Sequence, residues 1–219
     1  MVAFDVSRPL RPGMAVYKDR DAKRFLTRQD AQFPVDGMRE SSSVQWNLHT
    51  GTHVDAPAHM LPDGGTVASL DLSVLAGPAR VVSWRGEGDR LDAAAISAMN
   101  PQRGERLLVH TRNSDSDVFD SEFVFLAEDG ARVLAEAGIS LFALDAMGIE
   151  RSQPGHPSHN ALMGAGIVVM EDVRLDGVPD GEYTLLAMPV SLPDSEAAPV
   201  RALLLPRDWC PGDSIVLSN

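Results

Sequence analysis

The segment 49–59, HTGTHVDAPAH, contains residue types that suit a metal centre. It holds three of the six histidines of the chain together with one carboxylate, namely His49, His53, Asp55 and His59. Imidazole and carboxylate groups bind Zn²⁺, Mn²⁺ or Fe²⁺, and three protein ligands leave coordination positions free for water and substrate. The alternative is a surface loop with solvated histidines, but four potential ligands within eleven residues favour a metal centre.

The backbone of this segment must bend if its side chains are to share one ion. On a straight strand that rises about 3.3 Å per residue, His49 and His53 would lie roughly 13 Å apart. A helix would bring them together, but the glycine, β-branched residues and proline of the segment disfavour a helix. Because Gly51 can adopt the backbone angles of a bulge or tight turn, we predict a bend there. The bend would bring His49, His53 and Asp55 together, and Pro57 would then end the segment.

A second group of potential ligands lies between residues 150 and 172. We predict a helix from about Ser158 to Gly164, followed by the strand GIVVM, which runs into Glu171. His156 and His159 precede this strand, and Glu171 closes it. One histidine and this glutamate could complete a second metal position, although both residue types are also common in purely structural roles at helix starts and strand ends. The spacing leaves the choice between His156 and His159 open.

The elements that would position these groups indicate an α/β architecture. Apolar runs predict strands at 79–84, 106–111, 139–146, 181–190 and 200–206. Asp92 is a suitable N-cap for a short helix, and a longer helix at 127–137 should end at Gly138. The polar stretch 18–32 is expected to be partly helical. Among the few aromatic residues, Tyr17 and Trp46 are candidates for the wall of a substrate pocket. We expect residues 1–219 to form one domain.

Composition and missing motifs exclude several classes of function. The formal net charge is −12, and there is no basic tract, so we expect no nucleic-acid partner. No apolar run reaches the length of a membrane span, and the N-terminus does not resemble a signal peptide, so we expect a cytoplasmic protein without a membrane partner. The lone Cys210 excludes an internal disulfide and a cysteine-rich zinc module. The sequence also has no phosphate-binding loop, dinucleotide fingerprint or GxSxG nucleophile elbow.

The segment HTGTHVDAPAH resembles the H-x-G-T-H-x-D-x-P-x-H signature of the metal-dependent cyclase-like hydrolases, the family of bacterial kynurenine formamidase, with isatin hydrolase as a relative. Further blocks are similar and stand in the family's order over roughly residues 5–206, among them LAGPARVV, LAEAGISLFALD, HNALMGAGIVVMED and PVRALLLP. The chain departs from the formamidase pattern at Gly148-Ile149-Glu150, where formamidases commonly show Ser-Val-Asp. It also departs in the block after Pro12-Gly13.

The resemblance implies a compact β/β/α domain with a mixed, barrel-like sheet, assembled as a homodimer or larger homo-oligomer. It implies two divalent metal ions, for which Zn²⁺ is the leading expectation and Mn²⁺ the alternative. His49, His53 and Asp55 would bind one ion, and Asp55 would bridge to a second ion that His159 and Glu171 also bind. His59 resembles the family's catalytic histidine, outside the ligand set.

These residues lead to the hypothesis of metal-assisted amide hydrolysis. Divalent ions lower the pKa of a water molecule and polarise a carbonyl group, and a histidine such as His59 can move the proton. The leading expectation is an arylformamidase that releases formate from an N-formylkynurenine-type substrate in tryptophan catabolism. The alternatives are hydrolysis of a cyclic amide or lactone of the isatin type, and a metal-binding protein without catalysis.

Overall fold

A curled, mixed β-sheet forms the centre of the fold in the computed structural model, which describes residues 1–210 and 212–218. The strands are β1 (Val2–Asp5), β2 (Leu26–Ala31), β3 (Glu40–Gln45), β4 (His53–Asp55), β5 (Ala76–Ser83), β6 (Arg90–Leu91), β7 (Arg106–His110), β8 (Phe125–Leu126), β9 (Leu141–Leu144), β10 (Val168–Glu171), β11 (Gly181–Leu186), β12 (Ala197–Pro199), β13 (Leu203–Pro206) and β14 (Val216–Ser218). The helices are α1 (Ala93–Ala98), α2 (Glu128–Ala137) and α3 (Pro157–Gly164).

Ten of these strands form the main sheet, in the order β12-β4-β10-β9-β7-β5-β11-β13-β1-β14. The four strands β10, β9, β7 and β5 run parallel to one another, and antiparallel strands flank them on both sides. The sheet curls into a half-barrel. This arrangement confirms the predicted mixed, barrel-like α/β fold.

Side chains of the parallel strands alternate between two apolar layers because successive residues of a strand point to opposite faces. Leu107 and Val109 of β7 pack with the helices, whereas Leu108 between them packs inside the curl of the sheet. All three are fully buried. Strands that are covered on both faces explain the continuous apolar runs of the sequence.

The ends of the helices follow the sequence signals. The carboxylate of Asp92 accepts a hydrogen bond from the amide of Ala95 at 2.9 Å, and Gly138 ends α2 in the left-handed conformation with φ of 69°. Both features confirm the predicted caps. Within the described residues, no helix combines the length and apolar composition that crossing a bilayer requires.

The polar stretch 18–32 differs from the prediction of partial α-helix. Two short 3-10 turns (Tyr17–Asp19 and Asp21–Lys23) lead into β2, which pairs with β3 as a two-stranded hairpin outside the main sheet. Both strands are largely exposed and mostly polar, so neither shows the alternation of apolar and polar residues that identifies a half-buried strand.

Candidate metal centre

A tight turn at residues 47–52 brings the first histidine back toward the strand that carries the second. The carbonyl of Asn47 accepts a hydrogen bond from the amide of Thr50 at 2.9 Å, and Gly51 has φ of 79°. A Cβ atom at Gly51 would lie 2.7 Å from Cδ2 of Leu10, so a larger residue would have to displace this side chain. The left-handed backbone conformation is the main reason for glycine at this position. The predicted bend at Gly51 is therefore confirmed, and β4 begins only at His53.

Strand β4 presents its two ligand-type side chains on one face of the sheet. His53 and Asp55 are two residues apart, so their side chains point to the same side. In the neighbouring antiparallel strand β10, Glu171 lies opposite His53 and Val169 lies opposite Asp55. Val169 packs in the apolar layer under the helices, so this is the side from which α3 delivers His159.

The first three potential ligand atoms form a small triangle. Nδ1 of His49 lies 3.0 Å from Oδ1 of Asp55 and 3.2 Å from Nε2 of His53. Nε2 of His53 lies 3.4 Å from the same Oδ1. Two ligand atoms that are each about 2.1 Å from a tetrahedral ion lie about 3.4 Å apart. The triangle therefore has the size that three ligands of one ion require.

A second group surrounds the other oxygen of Asp55. Nε2 of His159 lies 3.2 Å from Oε1 of Glu171 and 3.8 Å from Oδ2 of Asp55. Oε2 of Glu171 also lies 3.4 Å from Nε2 of His53. The two groups thus meet at Asp55, whose two oxygens face one group each.

The far nitrogens of two imidazole rings are held by hydrogen bonds. Nδ1 of His53 donates to the carbonyl of Gly51 at 2.8 Å, and Nδ1 of His159 donates to Oε2 of Glu150. In the neutral form of each ring, these bonds place the proton on Nδ1 and leave the lone pair of Nε2 directed into the cluster. Fixing the tautomer in this way is the usual function of groups that hydrogen-bond to metal-binding histidines.

The electrostatics of the cluster favour positive charge at its centre. Burial acts to raise the pKa of Asp55, but His49 and His53 outweigh it and hold that pKa well below its ordinary value. Burial lowers the pKa of His53 and His159, yet the neighbouring carboxylates raise each to about 10. Protons on the imidazoles or divalent cations would supply the charge that these carboxylates require.

The side chain of Asp55 provides the clearest sign of a cation site. Both of its carboxylate oxygens are buried, and neither has a hydrogen-bond partner within the described residues. A buried carboxylate without donors is costly unless a cation compensates it. Nitrogen and oxygen ligands in this arrangement fit Zn²⁺ or Mn²⁺.

His59 lies beside the cluster on a short 3-10 helix (Pro57–His59). Its ring centroid is 4.2 Å from that of His49, and one of its nitrogens lies within 4.8 Å of ligand atoms of His49 and Asp55. Burial lowers the pKa of His59, so the neutral ring is available to accept a proton. Both roles weighed for this residue, ligand and proton carrier, are therefore within its reach.

The cluster opens into a cavity of about 550 Å³. Polar groups of the cluster form one part of its lining, and Tyr17, Met60 and Met147 contribute larger side chains. Arg20 and Lys23 line it as well. Such a volume accommodates a small aromatic molecule.

The structure brings together the five predicted metal ligands, and their role as ligands stays a prediction. Of the two aromatic candidates, Tyr17 lines the cavity, whereas Trp46 packs edge-on against Phe25, with ring centroids 5.7 Å apart, and is not part of the lining. His156 is half exposed, with Nδ1 3.5 Å from Oε2 of Glu150. In the part of the chain that the structure describes, His156 forms no ion pair with Asp55 or Glu171, whereas His159 contacts both.

Sequence reasoning missed the positions of Glu150, Lys23 and Arg20. The sequence marks Glu150 only as a departure from the formamidase pattern, and its contact with His159 is seen in the structure. Lys23 and Arg20 belong to the polar stretch that is predicted to be partly helical. The available signal for Glu150 was an unusual carboxylate nine residues before a histidine that is predicted to be a ligand.

Comparison with known proteins gives consistent matches over nearly the whole chain. A family model described as "Putative cyclase" matches residues 4–151. The kynurenine formamidase of Salinibacter ruber is 34% identical over 210 residues, which cover 93% of this chain and 97% of that protein. The solved structure of a predicted metal-dependent hydrolase from Bacillus stearothermophilus is 39% identical, with a TM-score of 0.83 over 92% of this chain and 97% of that chain. An isatin hydrolase bound to thioisatinate shares the fold, with a TM-score of 0.79 at 22% identity over 93% of this chain and 92% of that chain.

Proposed function

Because the chain belongs to the putative cyclase family, we propose that it is a metal-dependent hydrolase that cleaves N-formyl aromatic amines and releases formate. The observation that carries this proposal is the meeting of two groups of potential ligands at the buried carboxylate of Asp55, whose oxygens accept no hydrogen bond within the described residues. This carboxylate lies beside a cavity that His59 also lines. Relatives named kynurenine formamidase support the substrate class, as does the size of the cavity.

We propose that the protein binds two divalent cations, Zn²⁺ or Mn²⁺. His49, His53 and Asp55 would hold one cation, and Asp55, His159 and Glu171 would hold the other. When bound, such cations lower the pKa of a water molecule and polarise the carbonyl of the substrate. The hydrogen bonds on Nδ1 of His53 and His159 support this assignment because they leave each Nε2 available.

In this proposal His59 moves the proton. Its ring accepts the proton of the attacking water as the carbon–oxygen bond forms, and returns it to the amine nitrogen as the carbon–nitrogen bond breaks. Formate and the free aromatic amine then leave. Tyr17, Met60 and Met147 would contact the aromatic ring of the substrate, and Tyr17 is well supported for this role by hydrogen bonds from its hydroxyl to the carbonyl of Glu150 at 3.2 Å and with Oγ of Ser152 at 3.0 Å.

The assembly and location of the protein are part of the same proposal. We propose one hydrolase domain over residues 1–219, which is supported by the pairing of β1 with β14 in the main sheet. We propose a homodimer, which is supported by the apolar side chains of Phe33 and Val35 at the tip of the β2–β3 hairpin, 67% and 78% exposed. A cytoplasmic enzyme of tryptophan catabolism agrees with the single, exposed Cys210 and with the formamidase relatives.

A substrate panel on metal-reconstituted protein tests the function. We expect formate release from N-formylkynurenine, and loss of this activity after treatment with a chelator. The same panel contains isatin and simple lactones, which the alternative hydrolase would cleave. Turnover of isatin or lactones without release of formate from N-formylkynurenine would favour the alternative hydrolase over the proposed one. If protein with two bound ions turns over none of these substrates, the proposal that it is a hydrolase is rejected.

Two variants separate the ligand role from the proton-carrier role. His53→Ala should lose metal and thermal stability because metal that binds only the folded protein stabilises it. His59→Ala should keep metal content and melting temperature nearly unchanged while turnover falls by about 10²–10⁴-fold. Metal stoichiometry, melting temperature and kcat are measured on both variants. Metal loss in His59→Ala would make His59 a ligand, and unchanged turnover would remove it from the mechanism.

A further inference from the structure

Four cationic side chains lie between residues 18 and 24, and within the described part of the chain the charged groups of only two of them form a hydrogen bond or salt bridge. Nζ of Lys18 donates to Oγ of Ser152 at 2.8 Å, and the guanidinium of Arg24 pairs with two aspartates at 2.9 Å each. Arg20 and Lys23 form no salt bridge in residues 1–210 and 212–218, and both line the cavity beside the Asp55 cluster. The unpaired cations are therefore the two that face the site.

The position of Lys23 is fixed by one contact of its backbone and one of its side chain. Its carbonyl accepts a hydrogen bond from Oγ1 of Thr50 at 2.7 Å, which attaches this segment to the turn that carries His49. Its ammonium group lies 5.7 Å from the ring centroid of Tyr17, within the range of a cation–π contact. The cation is thus held at the cavity wall without an anionic partner.

The surroundings of Lys23 change when cations fill the cluster. Lys23 is half buried, and burial lowers its pKa, while the negative charges of Glu171 and Asp55 act in the opposite direction. Divalent cations on these two carboxylates would cancel that support. A half-buried ammonium group beside a positive centre then requires an anion nearby.

We propose that Lys23 and Arg20 form a subsite for a carboxylate that the substrate carries away from its reacting carbonyl. Tyr17, Met60 and Met147 line the same cavity and suit an aromatic ring, so the preferred substrate is an aromatic formamide that bears a carboxylate. A monoanionic carboxylate fits better than a doubly charged phosphate because Glu150 and Glu171 also line the cavity. Arg20, which is exposed, extends the subsite toward solvent. This inference rests on the proposed hydrolytic function of the cavity.

The first test compares N-formylkynurenine with its methyl ester, which differs only in the masked carboxylate, on the metal-loaded enzyme. Lys23→Met keeps the length and apolar contacts of the side chain. We expect it to raise KM for the acid by about 10–100-fold, the range for loss of a charged hydrogen bond, with little change in kcat and no change in KM for the ester. Arg20→Gln should act in the same direction. Arg132→Gln, an exposed arginine on α2 paired with Glu128, is the control and should change neither substrate.

Equal KM values for the acid and the ester in the unmodified enzyme would overturn the subsite, as would an equal effect of Lys23→Met on both. A binding measurement keeps the test decisive if no formamide is hydrolysed. By calorimetry on metal-loaded protein, anthranilate should bind at least about tenfold more tightly than anthranilamide, and Lys23→Met should abolish the difference. Success here with no formamide turnover would reject the proposed reaction and keep the subsite. Anthranilate binding that survives Lys23→Met would place the carboxylate on the metal ions and reject the subsite.

Discussion

Glu150→Gln should weaken one half of the metal centre and spare the other. The buried carboxylate of Glu150 accepts two hydrogen bonds, from the backbone amide of Ser158 at 2.8 Å on Oε1 and from Nδ1 of His159 on Oε2. Glutamine has one acceptor oxygen and one donor group at the same positions. Its oxygen can therefore satisfy only one of these two donors, and its amide nitrogen must face the other.

The conflict has a definite consequence for His159. If the glutamine oxygen accepts from Ser158, the glutamine NH₂ faces Nδ1, and the imidazole must move its proton to Nε2 to accept that bond. Nε2 then carries a hydrogen toward Glu171, 3.2 Å away, and is no longer a ligand. If the oxygen accepts from His159 instead, the buried amide of Ser158 loses its partner, which costs about 1–3 kcal/mol.

The expected magnitude follows from these two outcomes. Loss of a carboxylate behind a ligand histidine lowers metal affinity by about 10–100-fold, or about 1.4–2.8 kcal/mol. The effect should fall on the ion held by His159 and Glu171. The ion held by His49 and His53 should keep its affinity because neither ring contacts Glu150 in the structure, and its site is held by Gly51 instead.

The assay is a metal titration against a chromophoric chelator, combined with metal stoichiometry and thermal melting. We expect two ions of similar affinity in the unmodified protein, and one tight and one weakened ion in Glu150→Gln. Glu128→Gln on the exposed side of α2 is the matched control and should bind two ions normally. Two ions of unmodified affinity in Glu150→Gln would refute the reasoning, and equal weakening of both ions would show that the two groups do not act separately.

Three further predictions concern the turn, the charge of the cluster and the hairpin. Gly51→Ala should cost at least about 1–2 kcal/mol of folding free energy because its backbone is left-handed, and it should also weaken metal binding. Gly177→Ala is the control, since Gly177 has φ of 71° and an added Cβ would have no atom within 4 Å. It should show only the backbone cost in the same melting and metal-binding measurements. In protein that a chelator has stripped of metal, the pKa values of His53 and His159 are raised to about 10 each. Their contribution to the free energy of unfolding should therefore be full below pH 6.5 and should be lost as the pH rises toward 10. A free energy of unfolding that stays constant over this range in denaturation experiments would contradict the assigned charges. Val35→Asp should shift the protein from dimer to monomer in analytical ultracentrifugation, and an unchanged dimer would exclude the hairpin tip from the interface.

The sequence allowed the core of the site to be predicted because several strong local signals coincide there. The density of ligands in residues 49–59 indicated a metal centre, and the conformational freedom of Gly51 was sufficient to predict the bend. Helix α2 was recognisable from its N-terminal acids and from Gly138. In each case the deciding interaction lies within a few residues along the chain, so the local pattern contains it.

The remaining features depend on contacts between distant parts of the chain. Glu150 reaches His159 because the loop before α3 turns its carboxylate back onto the first turn of that helix, and no spacing rule predicts this direction. The strands of the β2–β3 hairpin are solvated on most sides, so no apolar alternation marks them. Only its residue type indicates Trp46 as a pocket residue, and in the structure its ring packs against Phe25 instead.

The pairing of β4 with β10 has a consequence for the unfolded chain. His53 and Glu171 are opposite one another across two strands, although more than a hundred residues separate them in the sequence. If the proposed ions join residues 49–55 to residues 159 and 171, they close a chain loop of this length, as a covalent cross-link would. For a loop of about 100 residues, the chain-entropy model assigns a cross-link about 4.7 kcal/mol. Metal supply would then determine how far this sheet resists unfolding, so that free cation concentration and denaturant act on the same equilibrium.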